Sequence, residues 1–232
     1  MIIDLFHREN LSWRLKQKLQ PLGAVPASGL GAAIVMDEGL LIAGAPGTNV
    51  AGPESGAVYI FELQGGVWKQ TNRISASDSH TRLQFGNQLS LSGNRLAVGC
   101  ANNNTFGKKA GAVYMFEQLA NGEWQQRNEP LYAIDAREDS HFGTSVCLSG
   151  DRLLVGADNT SFRGGESGSA YLYFHDGTDW QHSQKLEPKS NASTYKQHFG
   201  RTVAVHEDRL YIAAPSEYRN SGAVYVFDAE DE

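Results

Sequence analysis

Cysteine, basic charge and long apolar runs are what this sequence has least of. Its two cysteines, Cys100 and Cys147, make no CxxC pair and stand in no His-paired metal spacing, so neither a disulfide framework nor a zinc site is indicated. Acids outnumber lysine and arginine, and the net charge is −6. A chain of that sign has no basic field to displace counterions from phosphates, which argues against a nucleic-acid partner. No apolar run approaches the roughly 18 residues of a membrane span, and membrane insertion is not expected. Met1 to Arg8 shows neither the charged start nor the long apolar stretch of a signal peptide. With seven prolines and no Gly-X-Y period, a collagen-like chain is excluded.

Glycine, by contrast, is abundant. It supplies 25 of 232 residues, well above the usual share of about 7%, and points to many turns. Hydrophobic residues at 41%, with 10% aromatic, exclude general disorder.

The glycines recur. Phe-Gly stands at Phe85-Gly86, Phe142-Gly143 and Phe199-Gly200, with Leu30-Gly31 as a fourth copy, spaced 55, 57 and 57 residues. Thirteen residues after each Phe-Gly glycine comes a second small residue: Gly44, Gly99, Gly156 and Ala213. A small-aromatic run follows, Gly56-AVYIF, Gly111-AVYMF, Gly168-SAYLYF and Gly222-AVYVF. Trp13, Trp68, Trp124 and Trp180 keep the same period, at 55, 56 and 56. Four markers in one register define an internal repeat.

Within a repeat, β-branched and aromatic runs alternate with period two between Gly, Asn and Asp clusters, the pattern of short strands. Each repeat reads as strands a, b, c and d. Strands a and b are joined by tight turns such as Ser92-Gly-Asn and Ser149-Gly-Asp. Four antiparallel strands per repeat describe a β-propeller blade. Strand a is expected nearest the central axis, where small residues permit close backbone approach.

Phe-Gly, a hairpin, Gly-Ala-Pro and then Ser-Gly-Ala-Val-Tyr-Val-Phe resemble the FG-GAP repeat of integrin α-subunit propellers and many microbial proteins. The resemblance covers Met1 to about Asp228 and implies an all-β propeller with a role in adhesion or binding more often than catalysis. It also directs attention to the a–b turns, where integrin-like repeats often carry a DxDxDG calcium loop. Here those turns read Met36-Asp-Glu-Gly, Leu91-Ser-Gly-Asn, Leu148-Ser-Gly-Asp and Val205-His-Glu-Asp. None offers several spaced oxygen ligands. Calcium-free repeats of the bacterial type, with no metal and no cofactor, are therefore expected.

The expected architecture is a propeller of four such four-stranded blades, one blade shared between the N- and C-termini. Residues 1–29 supply strands c and d. Repeats follow at 30–84, 85–141 and 142–198, and residues 199–232 supply a, b and c. Strand d from Trp13 is then available to complete the last sheet and close the ring. Two other arrangements fit the same pattern: a homo-oligomer joined through open propeller ends, and a fragment of a larger ring. Met1 to Phe6 is a surplus copy of strand c that competes with Gly222 to Phe227.

No catalytic motif is present: no GKS/T, HExxH or GxSxG. Asp78-Ser-His80 and Asp139-Ser-His141 hold triad residue types, but adjacent residues cannot form that geometry alone. Asp78, Asp135, Glu138 and Asp139 make the d–a loops acidic, the basis of an alternative reading as a carbohydrate-active enzyme using loop carboxylates. A third reading is a structural module of a larger surface protein. The b–c loops hold the most distinctive exposed types: Asn49 and Glu54; Asn103, Asn104, Phe106 and Lys108; Phe162, Arg163 and Glu166; Tyr218 and Arg219. Aromatics beside amides and charges suit a recognition surface. The sequence thus predicts a non-catalytic module, extracellular or at the cell surface, that recognises a protein or a glycan.

Overall fold

The computed structural model describes residues 2–23, 26–162, 165–188, 197–217 and 221–229. Every regular element in them is a β-strand. The chain forms two compact units, Met1–Asn87 with Ala120–Trp124, and Gln88–Leu119 with Gln125–Glu232.

In the first unit, β1 (Ile3–Glu9) and β2 (Ser12–Leu19) form a two-stranded hairpin. A four-stranded sheet follows in the order β3 (Ile34–Asp37), β4 (Leu40–Ala45), β5 (Ala57–Gln64), β6 (Val67–Ile74). Ile3 and Leu19 of the hairpin pack with Leu41, Ala43, Tyr59 and Phe61 of that sheet.

The next sheet runs β7 (Gln88–Ser92), β8 (Arg95–Cys100), β9 (Ala112–Gln118), β10 (Trp124–Leu131). In the second unit lie β11 (Phe142–Ser149), β12 (Arg152–Ala157), β15 (Ser169–His175) and β16 (Trp180–Leu186), paired in that order. A miniature hairpin, β13 (Ser161–Phe162) with β14 (Gly165–Glu166), sits in their b–c loop. The last sheet holds three strands, β17 (Thr202–His206), β18 (Arg209–Ala214) and β19 (Ala223–Asp228). Within each sheet the strands pair antiparallel with the next strand of the same sheet, β12 reaching β15 past the miniature hairpin, the up-and-down pattern of propeller blades. The strand from Trp13, which the sequence makes available to the last sheet, is paired with β1.

Alternation explains the packing. On the sheet of β11, β12, β15 and β16, Leu153, Val155, Tyr171 and Tyr173 face Ala97, Val113 and Met115 of the preceding sheet, with Trp180 in the same cluster. The opposite face, with Leu154, Ala170 and Leu172, packs on Phe199, Leu210 and Ile212 of the last sheet. This blade therefore has one face that receives the blade after it and one that docks on the blade before it.

The Phe-Gly and Gly-Ala segments are the joint between blades. Phe85, Phe142 and Phe199 are fully buried and form parallel bridges to Gly56, Gly111 and Gly168 of the preceding repeat. A methyl built on Gly44 would lie 1.7 Å from the carbonyl oxygen of Gly86; on Gly99, 2.2 Å from that of Gly143; on Gly156, 1.9 Å from that of Gly200. Only glycine lets the two backbones approach so closely. Strand a adds a second tie. Ser90 Oγ accepts from Leu148 N–H at 2.8 Å, and Cys147 Sγ, in the equivalent position, accepts from Val205 N–H at 3.2 Å. Neither cysteine is in a disulfide.

Candidate functional site in the interblade loops

The b–c and d–a loops are knitted to each other. In the first unit Arg82, Gln84 and Phe85 donate backbone N–H groups to Pro53, Glu54 and Ser55; in the second, Asp139, His141 and Phe142 donate to Lys108, Lys109 and Ala110. Several non-glycine residues take positive φ to make this register: Glu54, Arg82 and Gln84, then Lys109, Asp139 and His141. Such conformations persist only where the surroundings fix them.

This changes the reading of several predicted residues. Asn49 Oδ1 accepts from Glu54 N–H at 2.9 Å, and Asn104 Oδ1 accepts from Lys109 N–H at 2.7 Å. Both amides brace their own loops. Asn103 is fully buried, and its Nδ2 donates to Tyr114 Oη at 2.9 Å. Glu54 is exposed, and its carboxylate accepts from Gln84 Nε2 at 3.3 Å. Lys108 is exposed. Phe162 and Glu166 lie on the β13–β14 backbone. Arg163, Tyr218 and Arg219 lie outside the described residues.

Phe106 stands out on the surface. It is 55% exposed and meets Tyr132 edge-on, with ring centroids 4.7 Å apart. Ile134, two residues further along the d–a loop, is 73% exposed. Tyr132 and Ile134 escaped the sequence reading because they sit at the end of a strand repeat, where an apolar residue is normally core.

Beneath this loop the acids are engaged. Asp135 accepts from Tyr171 Oη at 2.7 Å and from Lys185 Nζ at 2.9 Å. Lys185 also contacts Glu187 at 2.6 Å. Burial alone would push the Asp135 carboxyl up, but the bonds from Lys185 and Tyr171 outweigh it and hold it below the usual carboxylate range. The Tyr171 hydroxyl is pushed up, by burial first and then by Asp135.

Asp158 is a second hub. Its buried carboxylate lies 3.3 Å from His141 Nδ1, 3.7 Å from His198 Nδ1 and 3.0 Å from an Arg201 guanidinium nitrogen. Burial raises its pKa, and the bonds from His141 and Arg201 bring the net shift below the ordinary value. These histidines precede Phe-Gly, and their partner is a carboxylate that ties consecutive repeats together.

The a–b turns are two residues long, Glu38-Gly39, Gly93-Asn94, Gly150-Asp151 and Glu207-Asp208. Among the described residues no group of three or more His, Cys, Asp or Glu is placed to hold a metal ion.

Two stretches, residues 68–116 and 124–173, match the model of the FG-GAP repeat. The chain carries FG-GAP repeats. Each matched stretch runs from the tryptophan of one blade's last strand to the aromatic near the end of the third strand in the next blade. The FG-GAP repeat in sequence is therefore offset by one strand from the folded blade. Among solved structures, the chain is similar to a putative 6-phosphogluconolactonase from Bacteroides uniformis, at 14% identity and a TM-score of 0.62. That match covers all of this chain and 61% of the other, so the chain spans about three-fifths of that protein. At this identity the likeness shows the fold alone, an all-β propeller. No curated protein matches the chain in sequence.

Proposed function

We propose that these FG-GAP blades form a non-catalytic binding module whose loop face recognises a protein or glycan ligand. The observation that carries this reading is the exposed Phe106, set edge-on against the half-buried Tyr132, with the exposed Ile134 two residues beyond Tyr132. Large apolar groups held in solvent by a braced loop are the usual centre of a recognition surface. Ile134 has no hydrogen-bonding group, which favours a polypeptide over a sugar. Lys108 supplies charge on the same b–c loop as Phe106, and Glu54, Phe162, Arg163, Glu166, Tyr218 and Arg219 extend the proposal to the other b–c loops. An adhesive role at the cell surface accords with it, as does self-association through the exposed Val224 and Val226 of β19.

The test is a paired screen of glycan arrays and surface-protein libraries with the unmodified chain and with Phe106→Ala/Ile134→Ser. Binding that disappears in the variant, at an unchanged melting temperature, supports the reading. Turnover of a glycan would replace it with the enzymatic one.

A further inference from the structure

The network at Asp135 has a counterpart in the first unit from which the carboxylates are missing. In the second unit Tyr171 lies opposite Lys185 in the ladder, and Asp135 bridges the two. In the first unit Tyr59 lies opposite Arg73 in the same way. The residue equivalent to Asp135 is Gly23: each stands four residues beyond a strand-ending leucine, Leu19 or Leu131, and seven before Leu30 or Phe142. The residue equivalent to Glu187 is Ser75, two beyond the cation in each case. Both carboxylates that flank Lys185 are thus absent around Arg73.

Two further observations agree. Tyr59 is fully buried, and its hydroxyl has no hydrogen-bond partner among the described residues. Thr48 Oγ1 is equally buried and equally unpartnered, because Ala57 stands where Ser169 accepts from the equivalent Thr160. Buried polar groups in this state are rare and cost free energy. A Cβ on Gly23 would lie 3.6 Å from an Arg73 guanidinium nitrogen, which places the Gly23 turn beside the cation as Asp135 lies beside Lys185. Arg73 is exposed, with no hydrogen bond or ion pair among the described residues.

We infer that the Gly23 turn, Arg73 and Tyr59 form a receptor for a carboxylate supplied from outside the chain. The guanidinium binds the anion from the solvent side in a charge-assisted pair, and the Tyr59 hydroxyl donates to it from below, as Tyr171 donates to Asp135. The ligand class is a carboxylate, free as a small organic acid or borne by an aspartyl or glutamyl side chain of a polypeptide. This site is independent of the Phe106 patch.

An NMR titration at constant ionic strength tests it, with acetate as one probe and a terminally blocked aspartyl tripeptide as the other. Saturable shifts at the Tyr59 ring and the Arg73 side chain are expected, and the tighter probe identifies the source. Arg73→Gln is expected to weaken binding about tenfold or more, and Tyr59→Phe by a smaller factor. Gly23→Asp supplies the carboxylate internally; aspartate tolerates the positive φ of this position. It is expected to abolish the titration and raise the melting temperature. No saturable shift at Tyr59, or binding unchanged in Arg73→Gln, overturns the inference. So does Tyr59→Phe that binds as the unmodified chain does, or Gly23→Asp that folds and still binds acetate.

Discussion

The blade of β11, β12, β15 and β16 and the blade of β17 to β19 carry the same repeat, yet their receiving faces differ. On the former, Gly156 admits the backbone of Gly200, and Cys147 accepts from the next strand a. On the latter, Ala213 replaces the glycine and Ala204 replaces the sulfur or hydroxyl acceptor. Val224 and Val226 keep the middle of that face apolar and are more than half exposed, between Thr202 on one side and His206, Arg209 and Asp228 on the other. Hydrophobicity and fit are thus separate requirements: the last blade has kept the first and lost both devices of the second.

Substitution at the joint should separate the two faces most sharply. Gly156→Val drives side-chain atoms into the Gly200 carbonyl and is expected to destabilise by more than about 4 kcal/mol, whereas Ala213→Val should cost under about 1 kcal/mol. Urea unfolding of both variants checks this; equal losses would mean the faces are equivalent. Next in size, Phe199→Ala should cost about 3–5 kcal/mol, because a fully buried ring packed edge-on against Tyr225 leaves a cavity.

A smaller effect depends on pH. The Asp135 pKa is depressed in the folded chain, so its contribution is present above the unfolded value near 3.9 and is lost as pH falls through the folded value. Asp135→Asn should lower stability by about 1–3 kcal/mol at neutral pH, through the weakened bond to the buried Tyr171 hydroxyl and the loss of one of the two carboxylates that Lys185 contacts. The gap to the unmodified chain should narrow below about pH 4. A gap constant from pH 7 to pH 2 would show that the carboxylate's charge contributes nothing. Smallest of all, Ser90→Ala should cost about 0.5–1.5 kcal/mol by orphaning Leu148 N–H, while Ala204→Ser should stay within about 0.5 kcal/mol of the unmodified chain.

The joint was legible in the sequence because sterics there leave one answer. A backbone that passes within van der Waals contact of another admits only glycine, and the demand recurs at Gly44, Gly99 and Gly156, so period and residue type reinforce each other. Strand boundaries followed from the same alternation. The loop residues were less legible. Asn49 and Asn104 look like recognition residues by composition, but an asparagine that folds its own loop and one that meets a ligand are the same letter. Nothing in the residue types of Tyr132 and Ile134, just past a strand end, marks a surface site; the exposure of Ile134 and the contact of Tyr132 with Phe106 do. The vacancy at Gly23 was visible in the alignment of repeats, yet it acquires meaning only when Asp135 is seen to hold Tyr171 and Lys185 together.

The one-strand offset between sequence repeat and folded blade has a genetic corollary. Copying the stretch from Trp68 to Glu123 adds three strands of a new blade and the closing strand of the one before it. The duplicated segment enters the array already threaded through two sheets, so a newly gained copy is never held by its own hydrogen bonds alone. An array built this way can lengthen by whole units without passing through an intermediate that exposes an unfinished sheet at the insertion point.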